Sequence, residues 1–242
     1  MNKVQLLGWY GGDSVACISA WQSTTEELGI ELPENISDRV DTIFKTLSAG
    51  KKKSPEDLLL FLAQHGHETP FEKATLHFQI KADVASHIHA LKHRMSSINA
   101  ESFRYKEAIA DKHFVPDDWT PEWQNKLVEH SQQSFELYHQ AIEELAPLVG
   151  RKRAKESARF FLPYSVQINF DWMMNFRSFV NIQHLRNSDD AQREIHMITN
   201  TMLYLVENIP GKPFRHSLEA FGLKSNDKFL LESLTTFKEK QT

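Results

Sequence analysis

Between Ser54 and Lys81 the apolar residues change period from that of a helix to that of a strand, so any fold for this chain must accommodate both. In SPEDLLLFLAQHG, Ser54 is placed to cap a helix and Pro55 suits its first position. Glu56 and Asp57 favour the positive helix end, and Gly66 can terminate it. TLHFQIKA then puts Leu76, Phe78 and Ile80 on one side of an extended chain and His77, Gln79 and Lys81 on the other, a half-buried strand. VQLLGWY near the N-terminus, followed by a GGD turn, and VQINFDW read as further strands.

Helical spacing recurs at Val84, Ile88, Leu91, Met95 and Ile98, which predicts a helix through Leu91. A long helix opens at TPEWQNKLVEH, with Thr120 as cap and Pro121 as first residue. Its apolar stripe is Trp123, Leu127, Phe135, Tyr138, Ile142 and Leu145, and Pro147 and Gly150 are its expected end. Ile195, Ile198, Met202 and Val206 mark another helix, up to Pro210, whereas the segment to about Gly50 has no comparable pattern. Strands are few and do not alternate regularly with helices, so the expected class is α+β, mixed and helix-dominated, in a single domain over 1–242.

The formal charge is −4, which disfavours nucleic acid or an anionic membrane as partner, so any anion site must be built locally. Basic residues gather at Lys92, Arg94 and Arg104, at Arg151 to Arg153 with Arg159, at Arg177 and at Arg186. RKR at Arg151 to Arg153 and KKK at Lys51 to Lys53 read as solvated faces. There is no signal-peptide core and no run of about 18 apolar residues, which points to a cytoplasmic protein without a membrane partner. The single cysteine, Cys17, excludes an intrachain disulfide framework and reads as a buried small apolar residue.

His89 and His93 would share a face of a continuing helix, but Ala90 follows His89 and no third ligand is indicated, so no metal is expected. Ser96, Ser97 and Ser102 lie near His93 without a strand-Ser-helix elbow, and no GxGxxG or GxxxxGK[ST] cradle exists.

KHRMSSINAESFRY, Lys92 to Tyr105, resembles the signature of the flavin-dependent thymidylate synthases, Arg-His-Arg, seven residues and serine, here Lys92-His93-Arg94 and Ser102. GHETPFE from Gly66, ARFFLP around Arg159 and NFRSFVNIQHLR from Asn175 are similar to further blocks of that family, so the resemblance covers roughly residues 55 to 200. It implies an α+β homotetramer whose FAD sites are shared between subunits and in which the flavin stacks on dUMP. By the same resemblance, Thr69, Lys92, His93, Arg94, Asn175, Arg177 and Asn181 fall where FAD is bound, with His67 and Glu72 near it. Ser102, Arg104, Arg159 and Arg186, with His89, fall on the nucleotide side, and Arg186 matches the catalytic arginine that promotes ionisation of the pyrimidine.

The implied reaction is that of a flavoprotein methyltransferase of dTMP biosynthesis. A one-carbon unit passes from methylenetetrahydrofolate to C5 of dUMP, with hydride from FAD reduced by NADPH. The other class of thymidylate synthase uses a cysteine nucleophile, and DSVACISAW around Cys17 offers no such motif. Four positions depart from the family pattern: Lys92 for arginine, His89 for glutamine, Ala100 for glutamate and Asp190 for histidine, with Glu101 placed to compensate in part for Ala100. Two alternatives stay open: a flavin-dependent methylase of a related pyrimidine nucleotide such as UMP, and a non-catalytic nucleotide or nucleic-acid binding protein.

Overall fold

A computed structural model describes residues 1–23, 25, 29–108 and 112–232. The elements are β1 (Lys3–Tyr10), α1 (Asp13–Gln22), α2 (Ile36–Ser48), α3 (Pro55–Gln64), β2 (Thr75–Asp83), α4 (Val84–Ala90), β3 (Ser96–Ala100), α5 (Pro121–Val149), α6 (Arg151–Ala158), β4 (Gln167–Asn175), α7 (Phe176–Arg186), α8 (Arg193–Glu207) and α9 (Arg215–Ala220). The fold is therefore mixed α+β and helix-dominated. The strands form a sheet of order β1-β2-β4-β3. β2 and β4 each have two neighbours and bury most of their side chains, Leu76, Phe78, Ile80 and Trp172 completely, whereas the edge strand β3 alternates half-buried and exposed. Among the described residues no helix is long and apolar enough to cross a membrane.

The chain divides into two compact units. One comprises residues 1–3, 79–92 and 98–171. Its core is the inner face of α5, where Phe135, Tyr138 and Ile142 cluster with Ala108, Ala158 and Val166. Asp83, buried at the start of α4, caps that helix by accepting from Ser86 N–H at 2.8 Å, and also accepts from the Ser86 hydroxyl and from Asn2 Nδ2. Gln167 Nε2 in turn donates to Asn2 Oδ1 at 2.8 Å, so this buried polar group is internally satisfied.

The other unit comprises residues 4–78, 93–97 and the chain from 172 onward. An aromatic cluster fills it: Phe71 meets Phe221 edge-on at 4.8 Å, Phe176 stacks on Phe214 at 5.2 Å, and Phe78 lies 6.1 Å from Phe179. α3 packs on α9, α1 on α2 and α3, and α7 on α8. The turn from β1 into α1 passes through Gly12 at φ 135°, where an added Cβ would lie 2.3 Å from the Pro213 carbonyl oxygen. Asp13 N–H donates to that same carbonyl at 2.7 Å, and the Asp13 carboxylate accepts from the backbone N–H groups of His216 and Ser217.

Several local expectations are corrected. α4 forms where predicted, but the spaced apolar residues are not its buried ones: Val84 is half-buried against the core, Ile88 is 36% exposed, Leu91 and Met95 lie past the helix end, and the helix buries Ser86 and Ala90. Small side chains let a short helix lie close to its support, so size decided the buried face. Thr120 stands at the N-cap of α5 without a side-chain capping bond, and Trp123 is exposed. The helix continues through Pro147 to Val149, with Gly150 as its C-cap, so the proline does not end it. The face from Arg151 to Arg153 is exposed as expected, and on it Arg151 bridges Glu107 at 2.8 Å and Glu143 at 2.9 Å. α1 and α2 occupy the stretch that carried no legible pattern, and β3 turns the middle of KHRMSSINAESFRY from loop into edge strand.

Candidate active site

α3 ends as its sequence predicts. Ser54 accepts from Asp57 N–H at its start, and beyond its last turn Gly66 takes φ 68°. Gly66 N–H bonds the Ala63 carbonyl and His67 N–H the Leu62 carbonyl, a paired C-terminal cap that turns the chain sharply into His67-Glu68-Thr69. His67 and Thr69 are exposed, while buried Phe71 anchors the single 3-10 turn between them and β2.

Where β4 gives way to α7, Asn175 caps the helix, its Oδ1 accepting from Ser178 N–H at 2.8 Å. The oxygen is therefore used in capping, and only the Asn175 amide N–H₂ is left to meet a ligand. Arg177 and Asn181, four apart, share the exposed face of α7. Arg177 is clamped by two carboxylates, Glu72 at 2.6 Å and Glu68 at 2.8 Å, whose hydrogen bonds and charge raise its guanidinium pKa further. Glu72 is thereby tied to Arg177, and Glu68, within the GHETPFE block but not among the predicted ligand residues, joins it. Arg94 is exposed and forms no ion pair with any described residue. Lys92 is likewise exposed.

Arg186 is the last residue of α7, about 180° round the helix from Arg177. Its Nε–H donates to Nε2 of His93 at 3.2 Å, and His93 is buried. That bond uses a lone pair on Nε2, which assigns the ring proton to Nδ1. The His93 ring lies 5.9 Å from the indole of Trp172. α4 has ended before His93, which removes the continuing helix on which His89 and His93 would share a face. His89 itself is half-buried.

Arg104 and Arg159 both meet Glu156, and Ser102 meets Arg104. Arg104 bonds the Glu156 carboxylate through Nε at 2.9 Å and Nη2 at 2.8 Å, and Arg159 Nε–H donates to the Glu156 backbone carbonyl at 3.0 Å. Ser102 Oγ accepts from Arg104 N–H at 3.3 Å. Arg159 borders a cleft of about 180 Å³ with Phe103, Tyr164 and Val84. Glu156 carried no sequence signal, because its partner Arg104 lies 52 positions away.

Glu101, beside Ala100, is engaged within the protein. Its Oε2 accepts from Asn169 N–H and Nδ2 at 3.2 and 3.0 Å, and its Oε1 meets Lys106 at 2.6 Å. Burial works to raise the Glu101 pKa, but the bonds from Lys106 and Asn169 outweigh it and hold the carboxyl below 4.5. A depressed folded-state pKa contributes stability above the unfolded value that is lost as pH falls through the folded value. Glu101→Gln is therefore expected to lower stability by about 1–2 kcal/mol at pH 7. In urea titrations the gap from the parent protein should close as pH drops below 4.5.

One cluster among the described residues brings three potential metal-ligating atoms within 4.8 Å of one another: Glu56, His216 and Glu219. All three lie apart from the predicted residues, and Glu219 is already paired with Arg215 at 3.0 Å. Cys17 is fully buried, and burial, aided by the charge of Asp13, pushes its thiol up to about 12.

Residues 5–210 match the family model described as Thymidylate synthase complementing protein. The chain is 32% identical over 162 residues to a flavin-dependent thymidylate synthase of Thermosipho africanus, covering 59% of this chain and 69% of that protein. It is 30% identical over 156 residues to the one from Pseudothermotoga lettingae, with 63% and 70% covered. Among solved structures, the UMP/dUMP methylase PolB from Streptomyces cacaoi bound with 5-Br dUMP superposes with a TM-score of 0.67 at 22% identity, over 92% of this chain and 95% of that one. At that identity the likeness concerns the fold.

Proposed function

Because this chain belongs to the thymidylate synthase complementing protein family, we propose that it is a flavin-dependent thymidylate synthase, converting dUMP to dTMP with methylenetetrahydrofolate as one-carbon donor. Bound FAD, reduced by NADPH, supplies the hydride. The observation that carries this reading is the state of Cys17: a fully buried thiol with its pKa near 12 is no nucleophile, so thiolate addition to the pyrimidine has no agent here. Hydride chemistry on a flavin needs none.

The side chains fit a flavin dinucleotide. Arg94 and Lys92 offer exposed charge for its pyrophosphate, Lys92 as a point charge without the paired fork of arginine. His67, Thr69, Asn181 and the Asn175 amide offer neutral contacts, and Arg177 is held rigid by Glu68 and Glu72. His93 belongs to this group as the partner of Arg186. On the nucleotide side Ser102, Arg104 and Arg159, with His89, bind dUMP, and Arg186 stabilises the negative charge that develops on the pyrimidine ring. Residues 1–242 act as one family domain, and four chains assemble into a homotetramer with shared FAD sites.

One observation favours UMP as a second substrate. Ala100 lacks a carboxylate and Glu101 is committed to Asn169 and Lys106, so the nucleotide contact made from this position differs from the family pattern. Turnover of dUMP with none of UMP excludes that reading.

The deciding experiment is the visible spectrum of the purified protein, then release of the C5 hydrogen of dUMP with NADPH and methylenetetrahydrofolate. A yellow protein that releases the hydrogen and forms dTMP is expected. A protein that stays colourless, takes up no FAD and releases none would overturn the proposal.

A further inference from the structure

We propose that Ser96 and Trp172 are positioning residues for Arg186, acting through His93; the inference rests on the catalytic part assigned to Arg186 above. A long arginine side chain at a helix end has several rotamers, and a cation contributes to catalysis only if it is held where charge develops. The Arg186 Nε–His93 Nε2 bond at 3.2 Å supplies that hold, provided His93 is itself fixed.

Trp172 and Ser96 fix it. Trp172 is fully buried in β4, and its Nε1–H donates to Ser96 Oγ at 2.8 Å. An indole N–H can only donate, so the serine oxygen must accept, and its single proton is left for the His93 backbone carbonyl at 2.5 Å. Direction is thus imposed along the whole chain, from the tryptophan to the serine to the His93 backbone. The indole also flanks the imidazole at 5.9 Å, so His93 is restrained at both backbone and ring. The ring presents the Nε2 lone pair to Arg186, which uses its Nε–H there and keeps the terminal nitrogens of its fork for the substrate.

Ser96 is the weak point of this chain. Ser96→Ala strands a buried indole N–H and frees the His93 carbonyl without touching Arg186, and among the residues assigned to ligands it touches His93 alone, through its backbone. Trp172→Phe keeps a ring in the core and deletes the donor, and Ser96→Thr keeps the hydroxyl.

In the full-length FAD-loaded protein, Ser96→Ala and Trp172→Phe are expected to lower kcat for C5 hydrogen release from dUMP about 10- to 100-fold. KM for dUMP, FAD content and flavin reduction by NADPH should stay within about twofold, because only a cation's placement has changed. Ser96→Thr should recover most of the rate. Imidazole ¹⁵N spectra give a readout apart from activity: His93 should be a single neutral Nδ1–H tautomer in the parent protein and a mixture in Ser96→Ala. Parent-like kcat in Ser96→Ala, or a rate loss that tracks lost FAD, overturns the inference. If the parent protein itself releases no C5 hydrogen, the functional reading fails instead. The ¹⁵N spectra then decide the positioning chain alone, and an unchanged His93 tautomer in Ser96→Ala overturns it.

Discussion

Arg186→Ala is expected to lower release of the C5 hydrogen of dUMP by about 10²–10³-fold, the usual consequence of removing one fixed group that stabilises developing charge. FAD content should be unchanged, since the residues assigned to the flavin are other than Arg186. His93 keeps its Trp172–Ser96 restraint in this variant, so the lost rate reports the cation and not a collapsed site. Arg186→Lys should recover only part of the rate, because an ammonium restores charge but not the fork that bonds His93 and substrate together. Tritium release from 5-labelled dUMP, measured beside flavin absorbance, checks both variants. Parent-like release by Arg186→Ala would remove Arg186 from the mechanism.

Gly12→Ala should be the most damaging small substitution for stability. The new methyl group would meet the Pro213 carbonyl oxygen at 2.3 Å, and that oxygen is backbone already bonded by Asp13 N–H. The backbone φ of 135° is also one that side chains other than glycine rarely adopt. Strain and overpacking together cost about 2–5 kcal/mol. At about 2–4 °C per kcal/mol for a chain of this size, the thermal midpoint should fall by roughly 4–20 °C. Gly8→Ala is the matched control, as nothing lies within 4 Å of a Cβ there. Equal melting of the two variants would show that the turn gives way without cost.

Some parts of the fold were written in local order. TLHFQIKA alternates, and the strand it forms buries Leu76, Phe78 and Ile80. Ser54, Pro55 and Gly66 mark a helix whose two caps form as expected, because a cap is an exchange of hydrogen bonds among residues three to five apart. α1 and α2 were not legible. α1 buries Val15, Ala16, Cys17 and Trp21, a set without a clean stripe, and α2 buries none of its residues fully. α4 shows the opposite failure, in which helically spaced apolar residues do not mark the fully buried positions, Ser86 and Ala90.

The sequence by itself determined the α+β class, the caps of the helix that precedes His67 and the want of a cysteine nucleophile, and it nominated the candidate ligand residues. The tertiary structure alone decided what those residues touch. Arg177 meets Glu68 across 109 positions, Arg186 meets His93 across 93, and Trp172 reaches Ser96 across 76. Periodicity and capping are energies of near neighbours and can be read along the chain. A side chain's distant partner is chosen by packing, when burial strips away water and leaves each polar group only the donors and acceptors the fold has brought beside it.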